Sequence, residues 1–271
     1  MNDADRATAI HSAAAEGFSR GAHAYVRGRP DYPPQARAWL LEDLGLAYGK
    51  VVLDLGAGTG KFTRTLLATG ASVIAVEPVP QMLEQLAQAA PDARAMLGAA
   101  EQIPLADSAV DAVVCAQAFH WFATSAALEE IRRVLKPGGV LGLIWNVRDE
   151  SVEWVARLTE LLVPYEGDTP RYSTGKWRKL FPAEGFGPPC ERHFPHAHTG
   201  SPQQVILDRV SSISFIAALD LRDRAHLLAQ VRRLIETTPE LAGRDEVSFP
   251  YVTAACHLVR TSSARLLGPS E

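Results

Sequence analysis

Residues 51–62 read VVLDLGAGTGKF: an apolar, β-branched opening, then glycines at 56, 58 and 60, then a run compatible with a helix. The pattern predicts a strand over 51–55, a tight turn at the glycines, and a helix over 61–69 stopped by Gly70. Upstream, Ala36, Trp39, Leu40 and Leu44 fall at helical spacing before Gly45, a helix over 33–44. Downstream the cycle repeats, with strands over 72–76, 93–97, 109–116 and 140–145 and helices over 81–89 and 125–135. Strands alternating with helices at this spacing build a parallel sheet covered on both faces and joined by right-handed crossovers. The fold class expected is α/β: a doubly wound, Rossmann-like, seven-stranded and mostly parallel sheet with a helical cap insertion.

After Asn146 the rhythm breaks. Helices are expected over 153–163, 203–210 and 222–235, with a polar turn region over 165–175 and a final strand over 247–259. The division expected is a cofactor-binding core over 33–146, a cap and substrate region over 147–245 that includes one late sheet strand, a last core strand over 246–260 and a tail over 261–271.

Composition narrows the function. The 271 residues carry 27 Lys and Arg against 31 Asp and Glu, a net charge of −4, so no general attraction to a polyanion is built in. Hydrophobic residues make 47% and charged residues 21%, values of an ordinary globular chain rather than a disordered or membrane one. Cys115, Cys190 and Cys256 stand far apart with no CxxC pair, which fits a reducing compartment and neither a disulfide framework nor structural zinc. No run reaches the ~18 apolar residues of a membrane helix, and the first residues, which carry acids, lack the apolar core of a signal peptide. The expectation is a cytoplasmic protein with no nucleic-acid or membrane partner, monomeric or homodimeric.

A glycine turn after the first strand of an open α/β sheet lies at the ligand crevice. A phosphate loop, GxxxxGK[ST], is excluded because Leu55 stands where its first glycine belongs and Phe62 follows Lys61. The dinucleotide fingerprint GxGxxG fails because its third glycine would be Lys61. What remains, DxGxGxG over 54–60, resembles the first motif of class I S-adenosylmethionine-dependent methyltransferases. Further motifs follow in the family's order: PVPQML from Pro78, LGAAEQIPL over 97–105, VDAVVCAQAFHWF over 110–122, and LEEIRRVLKPGGVLGLIWN over 128–146. Upstream, FSRGAHAYVRGRPDYP over 18–33 resembles the N-terminal signature of the type 11 methyltransferases that are trans-aconitate methyltransferase-like or ubiquinone-biosynthesis-like. HWF over 120–122 and FPYVTAACHLVR over 249–260 fit the same subgroup.

The resemblance implies S-adenosylmethionine as cofactor, S-adenosylhomocysteine as product, and a small-molecule acceptor methylated on O, N or C. It implies that Gly56, Ala57, Gly58 and Gly60 form the turn under the cofactor, and that Glu77 accepts both ribose hydroxyls. Pro78 and Met82 would flank the adenine, unless they are core residues. The acid that family members use for the adenine amino group is replaced by Ala99, so adenine would be read near Ala100 and by Glu101. Asp54 would hold the ammonium of the methionine portion or simply order the turn, and Gln117 would contact that portion. Residues 1–32 would fold over the cofactor as a lid, with Tyr25 covering it and Arg29 pairing with its carboxylate; alternatively Arg29 and Tyr32 anchor a proline-bounded turn.

His120 is the candidate catalytic base, or else an orienting residue beside Trp121 and Phe122. Trp121, Trp145, Asn146, Arg148 and Tyr172 are expected around the acceptor, with Tyr165 and Trp177 adding aromatic surface, and Arg148 would suit a carboxylate. His193, His196 and His198 do not make a metal site, because an extended chain turns His193 away from the other two. Metal independence is expected. Two rival functions share the binding motifs: an RNA methyltransferase, disfavoured by the acidic balance and the lack of an NPPY-type motif, and a catalytically silent cofactor-binding module.

Overall fold

The computed structural model describes residues 28–261. Seven strands form one sheet: β1 (Val51–Leu55), β2 (Ser72–Glu77), β3 (Arg94–Leu97), β4 (Val110–Ala116), β5 (Leu135–Arg148), β6 (Cys190–Gly200) and β7 (Val247–Val259). Their spatial order is β3-β2-β1-β4-β5-β7-β6; the first five run parallel, and β7 pairs antiparallel with both β5 and β6. The expected architecture is therefore present, including the late strand, which is the edge strand β6. The chain moves outward from β1 to β3 and returns to β4 beside β1, so the order reverses between the ends of β1 and β4. That reversal opens a crevice at the carboxyl ends of the strands.

Strands covered on both faces read as nearly continuous apolar runs, and Val52–Leu55, apolar but for Asp54, and Ala112–Cys115 are buried throughout. Around the sheet stand α1 (Pro34–Glu42), α2 (Thr63–Leu67), α3 (Pro80–Ala89) and α4 (Ser125–Val134). Proline at the first turn opens α1 and α3, where its missing N–H has no helical partner to lose. Thr124 caps α4 by accepting from the Ala127 N–H. Two elements differ most from expectation. The strand expected over 140–145 begins at Leu135, which pairs with Val110 ahead of an irregularity at the KPGG segment, and ends at Arg148, which finds a partner in Tyr251. The helix expected over 61–69 shortens to α2, since residues on both sides of it close in tight turns.

Residue parity along β5 and β7 decides what faces what. Leu141, Leu143 and Trp145 of β5, with Cys256 and Leu258 of β7, belong to the core on one face, together with Phe119, Trp177 and Phe186. Ile144 and Ala255 point to the opposite face, where Trp39, Val52, Phe62 and Val73 lie. On the same side, α5 (Glu153–Leu162), the segment 203–211 and α6 (Leu221–Thr237) pack against Phe249 and Tyr251. The region 147–245 thus covers both faces: its helices pack on the face of Tyr251, while 172–186 seals the face of Trp145. No helix among the described residues is long and apolar enough to cross a membrane.

Candidate active site

A cavity opens at the reversal point, lined by the turn after β1, the ends of β2, β4 and β5, and residues 29–32. The glycines there have separate reasons. Gly56 has φ +72°, and a Cβ would stand 2.8 Å from the Ala118 Cβ; Gly60 has φ +82° and would meet Leu86 at 3.1 Å. Gly56 thus lets the β1 turn approach the β4 turn, and Gly60 lets it approach α3.

Glu77 ends β2 at only 5% exposure, and its carboxylate binds the first turn to its own: the Gly58 N–H donates to Oε2 (2.9 Å) and the Val79 N–H to Oε1 (3.0 Å). Burial raises its pKa, and these two N–H bonds act to lower it. Asp54 is fully buried. Its Oδ2 accepts from the Thr63 hydroxyl at 2.6 Å, while Oδ1 has no hydrogen-bond partner among the described residues. Burial and the neighbouring Glu77 push its pKa up to about 7, against the pull of the Thr63 bond. A buried carboxylate oxygen left without a donor, on a residue that lines a cavity, suits a cationic or hydrogen-bonding ligand.

Beyond Glu77, Pro78, Val79, Met82, Gly98, Ala100 and Glu101 make a mostly apolar recess. Opposite, Gln117 follows β4 in the left-handed region (φ 56°), rare for a side chain with a Cβ, held by its N–H to Ile144 O (2.8 Å) and its Nε2 to Asn146 O (3.3 Å). Residues 29–32 cross the mouth and are pinned from three sides. Lys61 donates to Arg29 O and pairs with Asp31 (3.2 Å), Asn146 Nδ2 donates to Asp31 O (3.0 Å), and Tyr32 packs edge-on against Phe62. Arg29 Nη2 reaches Ser212 O at 3.3 Å.

Of the residues expected from sequence, Arg29, Asp54, Gly56, Ala57, Gly58, Glu77, Pro78, Met82, Ala100, Glu101, Gln117, Trp121 and Asn146 line this one cavity. Gly60 stands behind it against Leu86, and Tyr25 lies outside the described residues.

The expected acceptor residues divide. Trp145 and Tyr172 are not in the cavity wall: parity sends Trp145 to the far face, where it packs at a tilt against Tyr172 (4.9 Å) and Trp177 (4.6 Å). Asn146, one residue on, is on the cavity side, but its amide is committed, with Oδ1 accepting from Thr253 Oγ1 at 2.6 Å. His120 stands behind the lining, between Trp121 and Trp145, whose Nε1–H donates to its Nδ1 at 3.1 Å. Burial, reinforced by Arg29 and Arg171, pushes its pKa down to about 3. Arg148 sits opposite Tyr251 in the ladder, close to the wall.

Sequence reading missed Thr63, Arg209 and Tyr251. Thr63 carried a signal, a hydroxyl one helical step beyond the glycine turn. Arg209 and Tyr251 reach the cavity from 155 and 197 residues beyond Asp54 (209 − 54 and 251 − 54), through packing that no local pattern announces. Among the described residues no three His, Cys, Asp or Glu side chains gather where they could hold a metal ion.

Comparison with known proteins identifies relatives of the whole chain. The methyltransferase domain family model matches residues 53–143, from within β1 to within β5. An uncharacterized methyltransferase of Mycobacterium tuberculosis, Rv3342, is 44% identical over 236 residues, covering 87% of this chain and 92% of its own. An uncharacterized methyltransferase-like protein of Schizosaccharomyces pombe is 37% identical over 232 residues, covering 85% and 90%. The crystal structure of YcgJ from Bacillus subtilis has the same fold, with TM-score 0.55 at 18% identity over 84% of this chain and 99% of that one. The chain belongs to the class I S-adenosylmethionine-dependent methyltransferases, within the type 11 methyltransferase family.

Proposed function

We propose that the protein transfers the methyl group of S-adenosylmethionine to a small-molecule acceptor, in a biosynthetic setting. The observation that carries this is the pair of buried carboxylates at the reversal point: Glu77 tied to the glycine turn, and Asp54 with an oxygen left over. When bound, the cofactor supplies a methyl group on a positively charged sulfur, a leaving group that needs no protonation. Glu77 holds the ribose hydroxyls through the lone pairs its two N–H bonds leave free. Asp54 Oδ1 takes the ammonium. Pro78, Met82, Ala100 and Glu101 receive the adenine, Gln117 the methionine portion, and Arg29 its carboxylate. The N-terminal signature and HWF support a place among the trans-aconitate- and ubiquinone-biosynthesis-like members, with residues 1–32 as a lid of which 28–32 are described.

His120 acts by orientation rather than as a base. A tryptophan N–H only donates, so Nδ1 must be the accepting nitrogen and the proton of the neutral ring sits on Nε2. With its pKa at about 3, the ring stays neutral at cellular pH and offers a donor, not a proton acceptor. Chemistry then depends on holding the acceptor in line with the methyl and excluding water.

The test is incubation of the purified protein with methyl-labelled S-adenosylmethionine and either a deproteinised small-molecule extract or total RNA. Label is expected in the small-molecule fraction. Label in RNA alone, or in neither, overturns the reading.

A further inference from the structure

Lys61 stands just after the glycine turn, where a dinucleotide fingerprint would carry its third glycine. Its ammonium is engaged across the mouth of the cavity: it donates to the Arg29 carbonyl and pairs with the Asp31 carboxylate at 3.2 Å. The Lys61 side chain is 20% exposed and that of Asp31 81%, so water screens the ion pair while the bond to the backbone is the sheltered one. Asp31 O takes two more donors, Asn146 Nδ2 from the end of β5 (3.0 Å) and His196 Nε2 from the edge strand β6 (2.7 Å). A carbonyl only accepts, so the proton of the His196 ring sits on Nε2. Asn146 is itself fixed by the Thr253 hydroxyl at 2.6 Å.

The same strap, residues 28–32, is fitted to the cap at its other end. Gly28 lies so close to the segment 203–211 that a Cβ there would stand 2.5 Å from Asp208 C and 2.6 Å from Arg209 N. Both are backbone atoms, so a side chain at 28 would have to lift the strap or move the segment. Arg29, Pro30 and Tyr32 of the strap line the cavity that holds Asp54 and Glu77 on its opposite side. The fastenings thus come from the turn after β1, from β5, from β6 and from the cap, and each is a group of the protein itself. They hold with or without a ligand beneath them. Lys61 grips two residues of the strap, where Asn146 and His196 share one carbonyl.

Resting on the methyltransferase reading above, we propose that Lys61 is a positioning residue, the latch that holds the strap 28–32 shut across the cavity, and that S-adenosylmethionine and S-adenosylhomocysteine exchange only when this latch lets go. A latch made of protein groups contributes alike to the closed form with and without ligand. Loosening it raises the open fraction in both, so entry and exit quicken together and their ratio, the affinity, is kept. A lysine that instead held the ligand would change exit and affinity together and leave entry as it was.

The experiment is kinetic. Association and dissociation rates of S-adenosylhomocysteine are measured by stopped-flow tryptophan fluorescence, Trp121 lying in the cavity wall, for wild type, Lys61→Met, Asp31→Asn, the double variant and Gly28→Ala. Lys61→Met should raise both rates by about tenfold, as for a lost charge-assisted hydrogen bond, with the dissociation constant within about threefold of wild type, which also shows that the variant is folded. Asp31→Asn keeps the backbone carbonyls and loses only an exposed ion pair, so about two- to threefold is expected. The double variant should be no faster than Lys61→Met, because the second change removes a partner already gone. Gly28→Ala, which is outside the cavity wall, should quicken both rates by pushing the strap off the cap; this variant and Asp31→Asn carry the test should Lys61→Met not fold. The proposal is overturned if Lys61→Met quickens dissociation only and weakens affinity by the same factor, since Lys61 then holds the ligand itself. It is also overturned if the two single effects multiply in the double variant, or if Lys61→Met or Gly28→Ala leaves both rates as in wild type. Failure of the wild type to bind S-adenosylhomocysteine strikes instead at the methyltransferase reading.

Discussion

Asp54→Asn should stabilise the empty protein at alkaline pH and cripple it toward its cofactor. Asp54 is fully buried and has one oxygen without a donor among the described residues, and its pKa is raised from an ordinary 3.8 to about 7. In the unfolded chain it titrates at the ordinary value, so between the two pKa values the native state holds a proton that the unfolded state has released. Stability attributable to Asp54 therefore falls as pH rises from about 4 to about 7 and stays low above. A shift of roughly three units amounts to about 4 kcal/mol at pH near 8 and about 2 kcal/mol at pH near 5. Asparagine keeps an oxygen for the Thr63 hydroxyl and has nothing to titrate. Its advantage over aspartate should grow by about 3 kcal/mol between those pH values, several degrees in melting temperature for a domain of this size. A bound ammonium reverses the preference, because it favours the ionised carboxylate. S-Adenosylhomocysteine binding should then release a proton near neutral pH, and asparagine should weaken it by about 1.5–3 kcal/mol. Thermal melts of wild type and Asp54→Asn across pH, with binding enthalpies measured in buffers of different ionisation heat, check both halves. A melting difference constant with pH, together with buffer-independent enthalpies, would refute the reasoning.

Three further outcomes are expected. Glu77→Ala removes the ribose acceptor and releases the Gly58 and Val79 N–H groups, so S-adenosylhomocysteine affinity should fall by about 1–3 kcal/mol in a protein that still melts cooperatively; unchanged affinity would remove Glu77 from the site. Gly56→Ala places a Cβ 2.8 Å from Ala118 at φ +72°, and should cost about 2–4 kcal/mol in chemical denaturation, whereas a neutral result would show that the turn can shift. His120→Gln should raise the KM for the acceptor more than it lowers kcat, with a pH profile of kcat that keeps its shape; a lost ionisation in that profile would restore the base.

How far the sequence could be read depended on the range of the forces involved. The strand, turn and helix around residues 51–62 are set by local periodicity and by glycines that only certain turns require, and β1, β2, β4 and β7 lie within a residue of expectation. Glu77 was legible because it stands at a strand end at a fixed distance from the glycine turn, and the Gly58 N–H does meet its carboxylate. Trp145 and Asn146 show a signal present but unused: successive residues of a strand face opposite ways, so the two could not share one cavity wall. His120 was visible as a residue beside the site. Its proton donor, Trp145, is 25 residues away, and only the folded sheet shows which ring nitrogen is occupied. Arg209 had no local signal, and Tyr251 stood inside a motif matched only by resemblance, because the segment 203–211 and a late antiparallel strand reach the cavity through packing alone.

The central claim, that this cavity is made for an adenosyl amino acid and not for a dinucleotide, is tested most directly by calorimetric titration of the purified protein with S-adenosylhomocysteine and, in parallel, with NAD. One-to-one binding of S-adenosylhomocysteine at micromolar concentration, with no heat from NAD, is the predicted result. Binding of NAD instead, or of neither, would contradict the account.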